Sequence, residues 1–209
     1  SLYDKVCKME NIVESYIRVR KNSGSPGVDG ITFKTIEQNG LNEYLKVIQT
    51  ELKTGKYKPS PVKRVYITKS NGKLRPLGIP TIKDRIVQMS VKLVIEPIYE
   101  ARFEDNSYGF RPKRSAKDAV TQIRTKILKE RKNNIFDADI SGYFDNIPHN
   151  NITKLLKRDI SDGKVLRLII NWLKSPISED GKLIKSIKGT PQGGVISPLL
   201  ANIYMNTLI

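Results

Sequence analysis

Apolar residues recur at helical spacing from the start of the chain. Val6, Met9, Val13, Tyr16 and Ile17 predict a helix, and the pattern breaks at Asn22-Ser23-Gly24-Ser25-Pro26-Gly27. Leu41, Tyr44, Leu45, Ile48 and Leu52 repeat the period, with Gly55 just past the end, where a left-handed cap residue is favoured. From Lys63 to Ile79 the pattern changes to alternation around Val65 and Ile67, with Asn71-Gly72 as a hairpin turn and Arg75 on the return strand. An apolar helix over 84–96 is expected to stop at Pro97. Ser115-x-x-Asp118 reads as a capping box opening a helix with a buried stripe of Val120, Ile123 and Ile127 and a basic opposite face. Residues 134–141 alternate as a strand, Phe136, Ala138 and Ile140 to one side, Asp137 and Asp139 to the other. Helices over 152–157 and 165–172 follow, then strand-like alternation around Gly181 and a glycine turn at 189–194. Ser197-Pro198 opens the last helix as cap residue and first-turn proline. With no internal repeat and no low-complexity linker, the class is α+β, helices and hairpins packed on an antiparallel sheet.

Composition narrows the partners. The 209 residues, 38% of them hydrophobic, suffice to bury a core without disulfides. Lys and Arg number 37 against 21 Asp and Glu, a formal net charge of +16 that points to nucleic acid, because so large an excess repels itself unless polyphosphate neutralises it. Cys7 is the single cysteine and His149 the single histidine, which excludes a disulfide framework, a cysteine-built zinc site and histidine-dependent triads. His149 reads as a polar turn residue beside Pro148. Apolar runs such as 91–98 fall short of a membrane span and no signal peptide is evident, so the expected location is cytoplasmic, with no membrane partner.

Three elements carry chemistry. Asp139, in Asp137-Ala138-Asp139-Ile140-Ser141-Gly142-Tyr143-Phe144-Asp145, is a carboxylate flanked by apolar residues, a suitable Mg²⁺ ligand because hard cations take oxygen and need firm placement. Lys69-Ser70-Asn71-Gly72-Lys73-Leu74-Arg75-Pro76 crowds cations at a hairpin tip, where Arg and Lys can clamp a triphosphate. A two-residue turn would place Lys73 and Arg75 on one face and Lys69 on the other, whereas a three-residue loop would align all three. In Gly189-Thr190-Pro191-Gln192-Gly193-Gly194 the adjacent glycines permit close backbone approach, and Gln192 offers an amide to a nucleotide.

These elements in this order, with Asn106-Ser107-Tyr108-Gly109-Phe110-Arg111-Pro112, Ser25-Pro26-Gly27-Val28-Asp29-Gly30-Ile31 and the run from Lys73 to Pro80, resemble the reverse transcriptases encoded by group II introns over nearly the whole chain. The resemblance implies right-hand polymerase fingers and a partial palm: fingers with an N-terminal extension motif over 1–100, and the fingers–palm junction with part of the palm over 101–209. It implies that Asp139 binds both catalytic Mg²⁺ ions, with the Ile140 carbonyl as a further ligand. Arg75 would hold the triphosphate, helped by Lys69 or Lys73; Gln192 would lie beside the incoming nucleotide; and Phe144 would exclude a 2′-hydroxyl, Tyr143 being the next candidate. Lys63, Arg64, Arg111, Arg114 and Gly193 would contact template or RNA. Asp145 reads as a structural or turn residue, and Asp137 stays unassigned.

The implied parent is an RNA-directed DNA polymerase and splicing maturase, binding intron RNA, an RNA template with a DNA primer, and deoxynucleoside triphosphates, and supporting retrotransposition. Pairing with a second copy is left open. One departure matters: the family's Tyr-Ala-Asp-Asp hairpin, which supplies the remaining metal carboxylates, has no counterpart in these 209 residues. The expectation is therefore a piece that binds RNA without polymerising. The alternatives are an RNA-binding splicing module without a polymerase role, or a retron, diversity-generating or defence-associated reverse transcriptase.

Overall fold

A computed structural model of the chain describes residues 1–68, 72–130, 134–190 and 193–207. Four helices open it: α1 (Leu2–Val6), α2 (Met9–Lys21), α3 (Phe33–Gln38) and α4 (Leu41–Lys53). The buried face of α2 is Ile12, Ser15, Tyr16 and Val19. Val13 and Ile17, expected inside, are 38% and 54% exposed, so the stripe is rotated by about one residue. Gly55, at φ +68°, caps α4 as expected, its N–H donating to the Leu52 carbonyl.

Strands β1 (Val62–Thr68) and β2 (Leu74–Ile79) form the predicted hairpin, pairing from Lys63↔Ile79 to Thr68↔Leu74. Lys69, Ser70 and Asn71, on which the choice of turn depends, lie outside the described residues. Helix α5 (Ile82–Glu100) then runs through Pro97 instead of stopping there. The proline removes one helical N–H close to the helix end, and the total burial of Ile82, Ile86, Val87, Val91 and Ile95 holds the rest. Helix α6 (Ala116–Glu130) has its capping box, the Asp118 N–H donating to Ser115 Oγ at 3.3 Å and the Ser115 N–H to Asp118 Oδ2 at 2.8 Å. Its expected buried stripe is on the surface, Val120 being 64% and Ile123 52% exposed, because no described element covers that face.

The predicted strand over 134–141 is irregular and exposed. A strand needs hydrogen-bond partners, and the sheet has none to offer there. Beyond it come α7 (Tyr143–Asn146), α8 (His149–Asp159), α9 (Gly163–Lys174), β3 (Ile177–Glu179), β4 (Lys182–Ile184) and α10 (Ser197–Met205). Sheet order is β2-β1-β3-β4. The β1–β3 pairing, Val62↔Ile177, is parallel, so the sheet is mixed where an antiparallel one was expected. The long excursion through five helices permits that crossover. Asp180 and Gly181, at φ +48° and +77°, make the tight two-residue turn of the β3–β4 hairpin.

One contiguous core runs from Tyr3 to Ile203 with α5 at its centre. It encloses a polar knot. Tyr57 donates to Asp84 Oδ1 at 2.6 Å, Trp172 Nε1 donates to the Tyr57 hydroxyl at 2.9 Å, and Thr81 Oγ1 and the Ser60 N–H reach Asp84 Oδ2 at 2.8 and 3.1 Å. Burial pushes the Asp84 carboxyl up and the Tyr57 phenol well up. Every partner in the knot is satisfied, which makes it a bolt between α5, α9 and the segment entering β1.

Candidate active site and nucleic-acid interface

The glycine turn after Lys188 joins the motif-bearing segments. On one side, the Gly189 N–H donates to the Ile147 carbonyl and the Thr190 N–H to the Phe144 carbonyl, both at 2.8 Å. His149, expected as a turn residue, is the first residue of α8, and its Nε2 pairs with the Gly189 carbonyl at 2.7 Å. A Cβ on Gly189 would lie 2.7 Å from the Asp145 carbonyl oxygen. On the other side, a Cβ on Gly193, at φ +108°, would lie 2.4 Å from the Gly78 carbonyl oxygen on β2. Glycine is obligatory at both contacts. Beyond them, Gln88 of α5 accepts from the N–H groups of Val195 and Ile196 at 2.9 and 3.4 Å. This amide does the work expected of Ser197, which is the first helical residue of α10; the cap position is Ile196, with no side-chain cap bond.

Hairpin register sorts the candidate cations. Arg75 lies opposite Ile67, on the face shared with Lys63, Val65, Leu77 and Ile79, whereas Arg64 lies opposite Gly78 on the other face. Leu77 Cδ1 sits 3.2 Å from the Cβ position of Gly193, so that end of the glycine turn meets the face bearing Arg75, whereas Gly189 and Thr190 line a cavity with the opposite face. Lys73 precedes β2 and is exposed, like Arg75. Lys63 and Arg64, expected as neighbouring RNA contacts, point to opposite sides. Arg64 turns toward a cavity of about 350 Å³ shared with Asp145, Lys188 and Thr190. Lys69 and Gln192 lie outside the described residues.

Asp139 and Ile140 are exposed on the irregular segment leading to α7, as is Asp137. Gly142, left-handed at φ +60°, turns the chain into α7. Of the two adjacent aromatics, Tyr143 is committed to the fold: its hydroxyl donates to the Ala201 carbonyl at 2.8 Å and its ring stacks on Tyr204. Phe144 is half-buried too, packs against the core and meets Phe110 edge-on at 6.2 Å. Among the described residues no three His, Cys, Asp or Glu side chains converge on a metal position. The donors at hand are the Asp139 carboxylate and the Ile140 carbonyl, hard oxygens that suit Mg²⁺ but fill few of its six positions.

Arg111 departs from its expected role as an RNA contact. It is 7% exposed; its Nε and Nη2 engage Glu100, its Nη1 donates to the carbonyls of Glu104 and Ser107, and it lies over the Phe103 ring. So committed a guanidinium organises the 100–111 loop. Arg114, partly exposed, reaches Asp105 and lies over the Tyr108 ring. Sequence reading also missed Gln88 and Arg85. Arg85 is buried and donates to the Pro80, Ser23 and Ser25 carbonyls, holding the 22–27 loop against α5, where Gly27 packs with its Cβ position 2.7 Å from the Thr81 backbone. The available signal was a run of polar residues, Asp84, Arg85 and Gln88, inside an otherwise apolar helix.

Residues 67–209 match the family model described as reverse transcriptase (RNA-dependent DNA polymerase), and the chain belongs to that family. Relatives that it resembles include a group II intron-encoded protein. It is 40% identical over 208 residues to the group II intron-encoded protein LtrA of Lactococcus lactis subsp. cremoris, covering 99% of this chain and 34% of that protein. It is 43% identical over 189 residues to Protein YkfC of Escherichia coli K12, covering 89% and 49%. A chain of a solved Cas6-RT-Cas1–Cas2 complex shares the fold, with a TM-score of 0.67 at 20% identity over 100% of this chain and 34% of that one. The chain thus spans about half or less of the length of these curated relatives. No helix among the described residues is long and apolar enough to cross a membrane.

Proposed function

We propose that this chain is the fingers, over 1–100, and the first part of the palm, over 101–209, of a group II intron RNA-directed DNA polymerase that also binds intron RNA as a splicing maturase. The observation that carries it is that one glycine turn bonds the Phe144–Ile147 segment after Asp139 through Gly189 and Thr190 and packs at Gly193 against Leu77 and Gly78 of the strand that bears Arg75. In that reading Arg75, with Lys73 and Lys69, grips the deoxynucleoside triphosphate, Gln192 lies beside it, and Phe144 closes off the sugar's 2′ side. Asp139 and the Ile140 carbonyl contribute oxygens to Mg²⁺, which, when bound, stabilises the attacking and leaving oxygens of in-line phosphoryl transfer. Template and primer lie along the basic surface, in the cytoplasm.

Primer extension with template, primer, deoxynucleotides and Mg²⁺ tests it. The full-length protein should extend, and Asp139→Ala should lower the rate by about 100-fold or more, the several kcal/mol that an anchored metal supplies. Residues 1–209 alone, with one assigned metal carboxylate, should not extend. Undiminished activity in Asp139→Ala would overturn the assignment, and robust extension by 1–209 would point to Asp137 or Asp145 as a second ligand.

A further inference from the structure

On a different part of the surface, α1, the end of α4 and α9 enclose a hollow of about 420 Å³, whose lining includes Lys53, Lys58, Lys164, Arg167 and Asn171 and no carboxylate. It shares no lining residue with the Arg75–Gly193 surface. The exposed face of α9 extends it: Lys164, Arg167, Asn171 and Lys174 follow at i, i+3, i+7 and i+10, one stripe opposite the buried Val165, Leu168, Ile169 and Trp172. None of these five cations forms a salt bridge among the described residues, and four of them lie on the hollow itself.

Their placement needs a reason. Lys53 and Lys174 sit in last turns, where a helix welcomes cations, but Lys164 sits in the first turn of α9, the positive end of that helix's dipole, and Arg167 repeats the charge one turn on. Three carboxylates, Asp4, Asp159 and Asp162, border the neighbouring hollow, which Lys164 and Arg167 also line, and Asp159 pairs with Arg102 and Arg158. Asp162 accepts from the N–H groups of Tyr3, Lys164 and Val165, and Asp4 is near enough for its charge to be felt by Lys164 without forming an ion pair with it. Lys164 itself rests over the Tyr3 ring at 5.2 Å.

We infer that this hollow and the α9 stripe form a phosphate track for folded RNA, separate from the polymerase surface, that serves the maturase side of the function proposed above. The stripe is about 15 Å long at 1.5 Å per residue, enough to follow several consecutive phosphates. Cations without salt bridges around a concavity suit a polyanion, and Asn171 adds an amide for a sugar or base edge.

The test compares two charge-reversed full-length proteins of equal net charge, Lys164→Glu/Arg167→Glu on the track and Arg124→Glu/Lys126→Glu on α6. Binding of a folded group II intron RNA is measured across a salt series, with a poly-glutamate peptide as control anion. The track variant should bind RNA at least about tenfold more weakly, with a salt slope shallower by about 2, while keeping primer extension. Lys53→Glu/Lys58→Glu, on the opposite rim, should behave alike, which guards against misfolding of one variant. Equal losses in the α6 variant, or RNA binding unchanged on the track, would overturn the inference while leaving the polymerase assignment standing. Stronger dependence of poly-glutamate than of RNA binding on the track would assign the surface to an acidic protein instead. Wild-type protein that bound no RNA would overturn both the track and the maturase reading.

Discussion

Gly193→Ala isolates the contact that ties the hairpin to the glycine turn. The new Cβ would stand 2.4 Å from the Gly78 carbonyl oxygen and 3.2 Å from Leu77 Cδ1, and the first neighbour is backbone, which cannot rotate away. A φ of +108° adds strain of about 1–3 kcal/mol for a residue with a side chain. Forcing the extra methyl against β2 adds a further cost of about 1–3 kcal/mol, as overpacking does elsewhere. Gly181→Ala provides the reference: its φ is +77° but nothing lies within 4 Å of the added atom, so it carries backbone strain alone. Urea unfolding followed by circular dichroism should show Gly193→Ala less stable than Gly181→Ala by about 1–3 kcal/mol, a midpoint difference of roughly 0.5–1.5 M. Equal midpoints would mean that the turn and β2 are not in contact, and the convergence on which the proposed site rests would fail.

Gln88→Leu should lower stability by about 1–3 kcal/mol in thermal unfolding, because two N–H groups at the start of α10 lose their acceptor. In the full-length protein, Phe144→Ala should narrow discrimination against ribonucleotides by about tenfold in single-nucleotide incorporation, with deoxynucleotide use largely retained; unchanged discrimination would return Phe144 to the core. Asp162 is partly buried, which raises its carboxyl, but N–H donors from Tyr3, Val165 and Lys164 outweigh that and hold it below the usual range. A lowered pKa stabilises the fold above the unfolded value near 3.9 and loses that contribution as pH falls through the folded value. Asp162→Ala should therefore cost about 1–2 kcal/mol at neutral pH, the worth of a helix cap, with the difference from wild type shrinking below about pH 4 in urea titrations.

Local signals were read well where local physics decides. The Gly55 cap, the capping box at Ser115 and Asp118, and the two helices over 149–174 each follow from a few neighbouring residues. Errors came where distant residues decide. Alternation over 134–141 is genuine, yet it becomes a strand only if a partner offers hydrogen bonds. The stripe on α6 is apolar, yet nothing described covers it. Pro97 is tolerated because burial upstream outweighs one lost bond. At the site, the motif residues named candidates but not their directions: nothing local says that Lys63 and Arg64 face apart, that the Tyr143 hydroxyl reaches the Ala201 carbonyl, or that Arg111 turns inward to Glu100. Gln88 was invisible because its partners are more than 100 residues away.

The sheet order also sets how the β1–β2 hairpin can move. β1 is bonded to β3 only at Val62 and Lys63; past that point it is a two-stranded ribbon with β2, tied sideways where the Tyr66 hydroxyl donates to Glu179. Ribbons of two strands bend readily. Arg75, opposite Ile67, sits four residues out from that root, an arm of about 13 Å. Rotation of about 10° at the root sweeps its guanidinium through roughly 2 Å, the difference between a hydrogen bond made and one broken. A small turn at Lys63 is thus magnified into a displacement longer than a covalent bond at Arg75.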